Sequence, residues 1–238
     1  TDTADYAYLA TGFTAALDSA GTATVTAAAT DTDVLTGIEN LTGSAFNDTL
    51  TGDSGDNSLE GGAGNDTIYG GNKNDLLEGG SGKDSLFGQE GHDILDGGLG
   101  HDSLYGGMGN DVLKGDSGND SLNGGDGLDT LEGGLGSDSL YGGYGNDRFN
   151  YSKGHGQDEI YVSEGYGSNF IETLGLTDMN IADIQLGRFY DDLYIIQKGS
   201  TTDHVKIINH FGLKLDALDK IIFADGTQWG ADLIQANT

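Results

Sequence analysis

Aspartate returns at nine-residue intervals through the middle of this 238-residue chain: Asp48, Asp66, Asp75, Asp84, Asp93, Asp102, Asp111, Asp120, Asp129, Asp138 and Asp147, with Asn57 in the one gap. Each stands sixth in a unit G-G-x-G-x-D-x-U-x, where U is apolar, and twelve units run from Gly43 to Asn150. Gly61-Gly62-Ala63-Gly64-Asn65-Asp66-Thr67-Ile68-Tyr69 is a clean copy. Glycines so placed let a turn adopt positive φ and bring carbonyl oxygens close together. Carbonyl and carboxylate oxygens are the donors of a hard cation. Calcium accepts about 6–8 of them in tolerant geometry, whereas magnesium demands an octahedron and keeps its waters. The eleven aspartates are therefore the candidate calcium ligands. Solvated surface charge is the alternative reading, and twelve copies in register stand against it.

Strands must hold these turns in register. Position 8 is apolar in all twelve units, from Leu50 to Phe149, and supplies an inward row. One such residue per short strand buries too little alone, so neighbouring units must stack. A longer period lies beneath the first. Position 9 reads Thr51, Tyr69, Phe87, Tyr105, Asn123, Tyr141 in odd units and Glu60, Glu78, Asp96, Lys114, Glu132, Asn150 in even ones. Position 7 alternates likewise, with Leu76, Ile94 and Val112 in even units. One coil is thus two units, or eighteen residues. The expected fold is all-β, a parallel β-roll of two sheets back to back around the position-8 core. Six coils would make a rod roughly 29 Å long. The outward rows, the aromatic stripe included, are expected to be covered by flanking segments; the alternative is a platform for a sugar or a partner.

Aspartates eighteen residues apart would lie above one another, about 5 Å apart, and repel unless a cation separates them. Pairing each unit with the next but one offers ten positions, beginning with Asp48/Asp66 on one edge and Asp75/Asp93 on the other. Ten divalent ions add +20 to a net charge of -29 and leave -9, so the ligand would explain most of the charge. Phe46 and Lys73 replace the fourth-position glycine, and Gln89, Asp53 and Asp116 the second; sites near Phe46, Asn57 and Lys73 are expected to be weakest.

The same acidity excludes nucleic acid as a partner and argues against an anionic membrane. Without the cation, self-repulsion and glycine entropy oppose compaction. There is no cysteine, hence no disulfide or thiolate site, and no apolar run of transmembrane length. No N-terminal signal peptide is visible, and a start at Thr1 rather than Met leads us to expect a fragment of a larger protein.

Composition divides the chain into three. Residues 1–42 are Thr/Ala-rich, 43–150 hold 30 of the 43 glycines, and 151–238 carry ordinary globular patterning. The first is expected to continue the solenoid, with Val25, Leu35, Ile38 and Leu41 inward. In the third we expect strands near 158–162, 168–172, 192–197, 203–208 and 219–223, a helical turn over 177–184 capped by Thr177, and a hairpin turn at Asp225-Gly226. Phe149, Phe170, Phe189, Phe211, Phe223 and Trp229 are expected to form a cap core.

The array resembles the RTX (repeats-in-toxin) calcium-binding β-roll family, and the lead-in Leu35 to Ser44 is similar to those before such arrays. Residues 151–238 resemble the domain that often follows, through Gly154-His155-Gly156-Gln157-Asp158-Glu159-Ile160, Asp191-Asp192-Leu193-Tyr194-Ile195, Ile221-Ile222-Phe223-Ala224-Asp225-Gly226-Thr227 and the tail Trp229 to Ala236. The resemblance implies a secreted, extracellular or cell-surface protein of a Gram-negative bacterium, exported unfolded by type I secretion machinery through a C-terminal signal and folding on extracellular calcium. It implies residues 1–42 as a β lead-in, 43–150 as the roll, and 151–238 as a capping and secretion-signal domain. The expected parent is a large adhesin, which would carry any host or surface ligand; this region is expected to be a monomer that does not insert into membranes.

No enzyme is expected in this fragment: H-E-x-x-H and G-x-S-x-G are both absent. His92, His101, His155, His204 and His210 show no metal spacing, and His92 and His101, at position 5, should be exposed. The alternatives to a secretion and folding module are a surface- or glycan-binding module, and an accessory module of a secreted enzyme such as an alginate epimerase, lipase or protease.

Overall fold

The computed structural model describes all residues except 1, 7, 8, 10, 18–21, 29, 30, 37, 163–171 and 209–217, with backbone alone for 22–28, 31–36 and 38. Consecutive units alternate between two sheets. Strands Ser58–Ala63, Leu76–Gly82, Ile94–Gly100, Val112–Lys114, Thr130–Glu132 and Arg148–Tyr151 lie side by side in an eleven-stranded sheet. Strands Thr49–Thr51, Thr67–Asn72, Ser85–Glu90, Ser103–Met108, Ser121–Asp126 and Ser139–Tyr144 form the middle of a thirteen-stranded one. All these pairings are parallel with an eighteen-residue register, as in Leu86 opposite Leu104 and Leu95 opposite Leu113. The fold is the parallel β-roll that the alternation of positions 7 and 9 predicts.

The position-8 residues meet between the sheets, and from Leu50 to Phe149 none is more than 1 % exposed. Each such side chain contributes about 1.5–3 kcal/mol of burial. The turns must be narrow for the coils to close. A Cβ on Gly118, at φ 147°, would collide with the carbonyl oxygen of Gly100 in the coil before.

Parallel stacking runs past the array in both directions. Thr173–Leu176 and then Lys220–Ile222 extend one sheet; Gln157–Tyr161 and then His204–Ile208 extend the other. Antiparallel strands Ile184–Phe189, Asp192–Gln197 and Gln228–Gly230 and a short helix, Ala231–Ala236, finish this end. At the other end Asp2–Asp5 pairs in parallel with Ile38–Thr42, and Thr14–Leu17 with Thr49–Thr51, so the solenoid does continue there. Leu41 is buried as expected. The side chains of Val25, Leu35 and Ile38 lie outside the described residues.

Several expectations need correction. Thr22–Ala28 and Asp31–Thr36 form an antiparallel hairpin rather than a further coil. So few residues separate them that no parallel crossover can fit. The helical turn is a single 3-10 turn, Ile181–Asp183, with Asn180 before it. Asp183 accepts the Asn180 N–H at 2.9 Å, while Thr177 Oγ1 instead meets Ser152 Oγ. The expected strand at 168–172 falls almost wholly outside the described residues, as do Phe170, Phe211 and His210. Phe149 and Phe223 are core and Trp229 packs against it, but Phe189 is 62 % exposed. It lies at the tip of the Ile184–Gln197 hairpin, on the edge of its sheet and past the reach of the core. Nor is either outward face fully covered: Ile94, Tyr105 and Tyr141 are exposed, while Leu76, Val112, Tyr69 and Phe87 are half-buried. Among the described residues no helix is long and apolar enough to cross a membrane.

Candidate metal centre in the turns

Each sixth-position aspartate from Asp66 to Asp147 divides its two oxygens between two tasks. Oδ1 accepts a hydrogen bond from the backbone N–H of the sixth residue one coil earlier. Asp66 so caps Asp48 at 2.7 Å, Asp84 caps Asp66, Asp102 caps Asp84, Asp120 caps Asp102, and Asp138 caps Asp120 at 2.8 Å. On the other edge Asp75 caps Asn57, and Asp93, Asp111, Asp129 and Asp147 follow in the same way. The expected aspartates are thus assembled into two rows, one along each edge of the roll.

Oδ2 receives nothing from the protein. In Asp66, Asp75, Asp84, Asp93, Asp102, Asp111, Asp120, Asp129, Asp138 and Asp147 it is buried and without a hydrogen-bond donor. A buried acceptor left in this state is costly, and a buried anion more so. The acidities carry the same message. Burial, reinforced by neighbouring carboxylates, pushes Asp66, Asp75, Asp120 and Asp129 up to about 7 and Asp93 and Asp102 to about 6, against the opposing effect of the ladder hydrogen bond. Burial raises Asp84, Asp111, Asp138 and Asp147 too. A row of buried carboxylates with one oxygen free along each edge fits a hard cation, and the carbonyl-rich turns fit calcium above other metals.

Asp48 differs. Its Oδ1 accepts from Phe13 N at 2.6 Å, and its Oδ2 from the Ser44 hydroxyl at 2.9 Å and the Ser44 N–H. Ser44 occupies a second position otherwise held mostly by glycine. The first turn therefore meets its carboxylate with protein donors. Where Lys73, Gln89 and Asp116 replace glycine, the backbone keeps positive φ (68°, 81° and 64°), so the turn survives at the expense of strain.

Sequence reasoning missed three members of the rows, the first of them Asp158. Asp158 Oδ1 accepts from Asp138 N at 3.2 Å, and its Oδ2 is buried and without a donor. Burial and the Asp138 carboxylate push it up to about 8. The signal was legible: Gly154-His155-Gly156-Gln157-Asp158-Glu159-Ile160 is a thirteenth G-x-G-x-D-x-U, displaced by Tyr151 and Ser152. The other row continues in register through Glu172, opposite Asp147, and Asp219, whose Oδ2 accepts from Glu172 N at 3.1 Å. No motif announces those two.

A second ladder was also missed. Position-5 side chains accept the backbone N–H of position 5 in the next coil: Asn47 from Asn65 at 2.8 Å, Asn74 from His92 at 2.9 Å, and Asn110 from Leu128 at 2.9 Å. His92 and His101 are exposed, and their Nδ1 atoms accept from Asn110 and Asn119 at 2.7 Å. They join coils.

Two families match this chain. The one described as RTX calcium-binding nonapeptide repeat matches residues 34–68, 69–104, 105–140 and 123–158, together more than half of the chain. The one described as haemolysin-type calcium binding protein related domain matches residues 192–232. No curated protein matches. Among solved structures the chain is similar to the extracellular lipase LipA from Serratia marcescens, at 21% identity over 68% of this chain and a TM-score of 0.27. It spans 40% of that lipase's length.

Proposed function

Because the chain belongs to the RTX calcium-binding nonapeptide repeat family, we propose that it binds calcium between successive coils and folds by doing so. The row of buried Oδ2 atoms carries this reading. The ligands are Asp66, Asp75, Asp84, Asp93, Asp102, Asp111, Asp120, Asp129, Asp138 and Asp147, each offering its free oxygen, together with Asp158 at the end of one row. Asp48, already met by Ser44 and Phe13, binds most weakly. These residues would hold the ions, and calcium would supply the charge that lets buried carboxylates stay ionised. No chemical step on a substrate follows from the turns, and the roll is a binding and folding module.

In this reading the chain is the C-terminal region of a secreted adhesin that leaves the cell unfolded through type I secretion machinery. Where calcium is scarce, acidic repulsion keeps it open; outside, millimolar calcium suffices for sites of modest affinity. A net charge of -29, the lack of cysteine and the match over residues 192–232 support this course. Residues 1–42 serve as lead-in, 43–150 as the roll and 151–238 as cap and export signal. The test is far-UV circular dichroism during parallel calcium and magnesium titrations. A cooperative coil-to-β transition driven by calcium alone, with a midpoint at or below millimolar, is expected. A chain fully folded in strong chelator would overturn ion-coupled folding.

A further inference from the structure

Two outward rows of the thirteen-stranded sheet are uncharged from Thr49 to Tyr141, although the chain carries 39 acidic residues and Glu90 and Asp126 are exposed at the far ends of two of the same strands. One outward row is Thr and Ser throughout, from Thr49 to Ser139. Beside it runs the row Thr51, Tyr69, Phe87, Tyr105, Asn123, Tyr141. The opposite sheet turns Glu60, Glu78, Lys114 and Glu132 outward instead. Two neutral, hydroxyl-bearing rows on so acidic a chain repel no neutral ligand, and with Glu90 and Asp126 nearby they offer a polyanion nothing.

The aromatic row is a stack with one gap. Tyr69 and Phe87 stack at 5.0 Å, Phe87 and Tyr105 at 5.0 Å, and Tyr141 and Tyr161, one coil further on, at 4.3 Å, all within 12° of parallel. Stacked rings cover one another's faces and offer solvent only their edges. At Asn123 the stack is interrupted, so Tyr105 and Tyr141 turn bare faces toward each other across one coil. These two rings are the exposed ones, at 42 % and 37 %, while Tyr69, Phe87 and Tyr161 are half-buried.

Two coil spacings put the facing rings about 9.6 Å apart. Each face keeps roughly 3.5–4 Å from a carbon it touches, which leaves a slab about 2 Å deep for inserted atoms. A saturated sugar ring, with axial hydrogens or hydroxyls on both faces, is thicker than a flat ring and comes closer to both walls. Asn123 supplies an amide donor and acceptor at the floor, and Ser121 a hydroxyl beside it. The outward rows cover about 290 Å², far below the roughly 800 Å² per partner of a stable protein interface. A second copy of the chain is therefore poorly served by this face, and an extended, repeating ligand is well served.

We propose that the notch between Tyr105 and Tyr141 over Asn123 is a subsite for one sugar ring of a neutral polysaccharide, whose neighbouring residues lie along the Thr/Ser row. The notch needs the sheet, whichever ion folds it. Circular dichroism in the same calcium buffer therefore separates loss of the roll from loss of the subsite.

The experiment is affinity electrophoresis of the full chain in calcium through gels holding dextran, a mixed-linkage β-glucan, a mannan, a galactan or alginate. Retardation by at least one neutral polysaccharide, and none by alginate, is expected. Tyr141→Ser should weaken it at least fivefold. Asn123→Tyr should do the same, because it fills the notch while completing the aromatic stack. Both substitutions face solvent, so both variants should keep the wild-type spectrum. Retardation by none of the neutral gels would overturn the proposal. So would an Asn123→Tyr chain that binds as well or better, since ring edges and not the notch would then be the ligand's contact. Concentration-dependent self-association in sedimentation, lost in Asn123→Tyr, would assign the face to a second copy and overturn it equally.

Discussion

Leu104→Ala measures how many ions take part in one folding event. Leu104 is fully buried in mid-roll, between Leu86 and Leu122 of the adjacent coils. Truncation removes about three carbons at roughly 0.8 kcal/mol each and leaves a cavity, for a total near 3 kcal/mol. If folding takes up about ten ions together, each tenfold change in calcium shifts the equilibrium by about 14 kcal/mol, ten times the roughly 1.4 kcal/mol of a single site. A loss of 3 kcal/mol then moves the calcium midpoint by only about 1.6-fold. If one ion governed the transition, the same loss would move it more than about 100-fold. The assay is the calcium midpoint by circular dichroism, wild type against variant, at fixed ionic strength. A shift between about 1.3- and 2.5-fold is expected. A shift of tenfold or more would refute the coupling of many turns into one transition, whatever the affinity of each.

The calcium-free chain should respond to pH in the direction opposite to most proteins. With folded-state acidities of about 6 to 7, above the ordinary carboxylate value, stability from the neutral acids is complete below about pH 4 and lost as pH rises through 6 to 7. In chelator, β-signal should therefore grow as pH falls from 7.5 to 5, and growth with rising pH would contradict the burial of these carboxylates. Lys73→Gly should relieve a left-handed backbone at φ 68° and stabilise the calcium-loaded chain by about 1 kcal/mol in urea unfolding. Loss of stability would mean that the lysine side chain holds the turn.

The roll was legible because its period is chemical as well as structural: every position-8 side chain meets its own kind eighteen residues away. The alternation of Tyr69, Phe87 and Tyr105 with Glu78, Asp96 and Lys114 separated the two sheets without coordinates. What escaped were features that keep the geometry and change the spelling. Asp158 sits behind a two-residue insertion, Glu172 and Asp219 lie in register without glycines around them, and Ser44 satisfies Asp48 where a glycine was expected. The ends failed for another reason. Strand direction in the Thr22–Thr36 hairpin and the exposure of Phe189 depend on which neighbour a segment meets, and no periodic pattern records that.

Removing residues 151–238 should do more than shorten the rod, because the ladder has a direction. Each sixth-position N–H finds its acceptor in the next coil toward the C-terminus, so a coil is complete only when its successor has docked. The last turn on one edge, at Asp138, depends on Asp158, and a chain ending at Asn150 lacks it. Such a truncation leaves the Asp138 N–H without its acceptor and also exposes a bare parallel edge. Every site toward the N-terminus is built on the one after it, so the defect weakens nucleation of the whole array. The 1–150 fragment should need severalfold more calcium than the full chain and fold over a broader range. Equal midpoints and equal steepness would show that the array closes itself and that the C-terminal segment serves some other end.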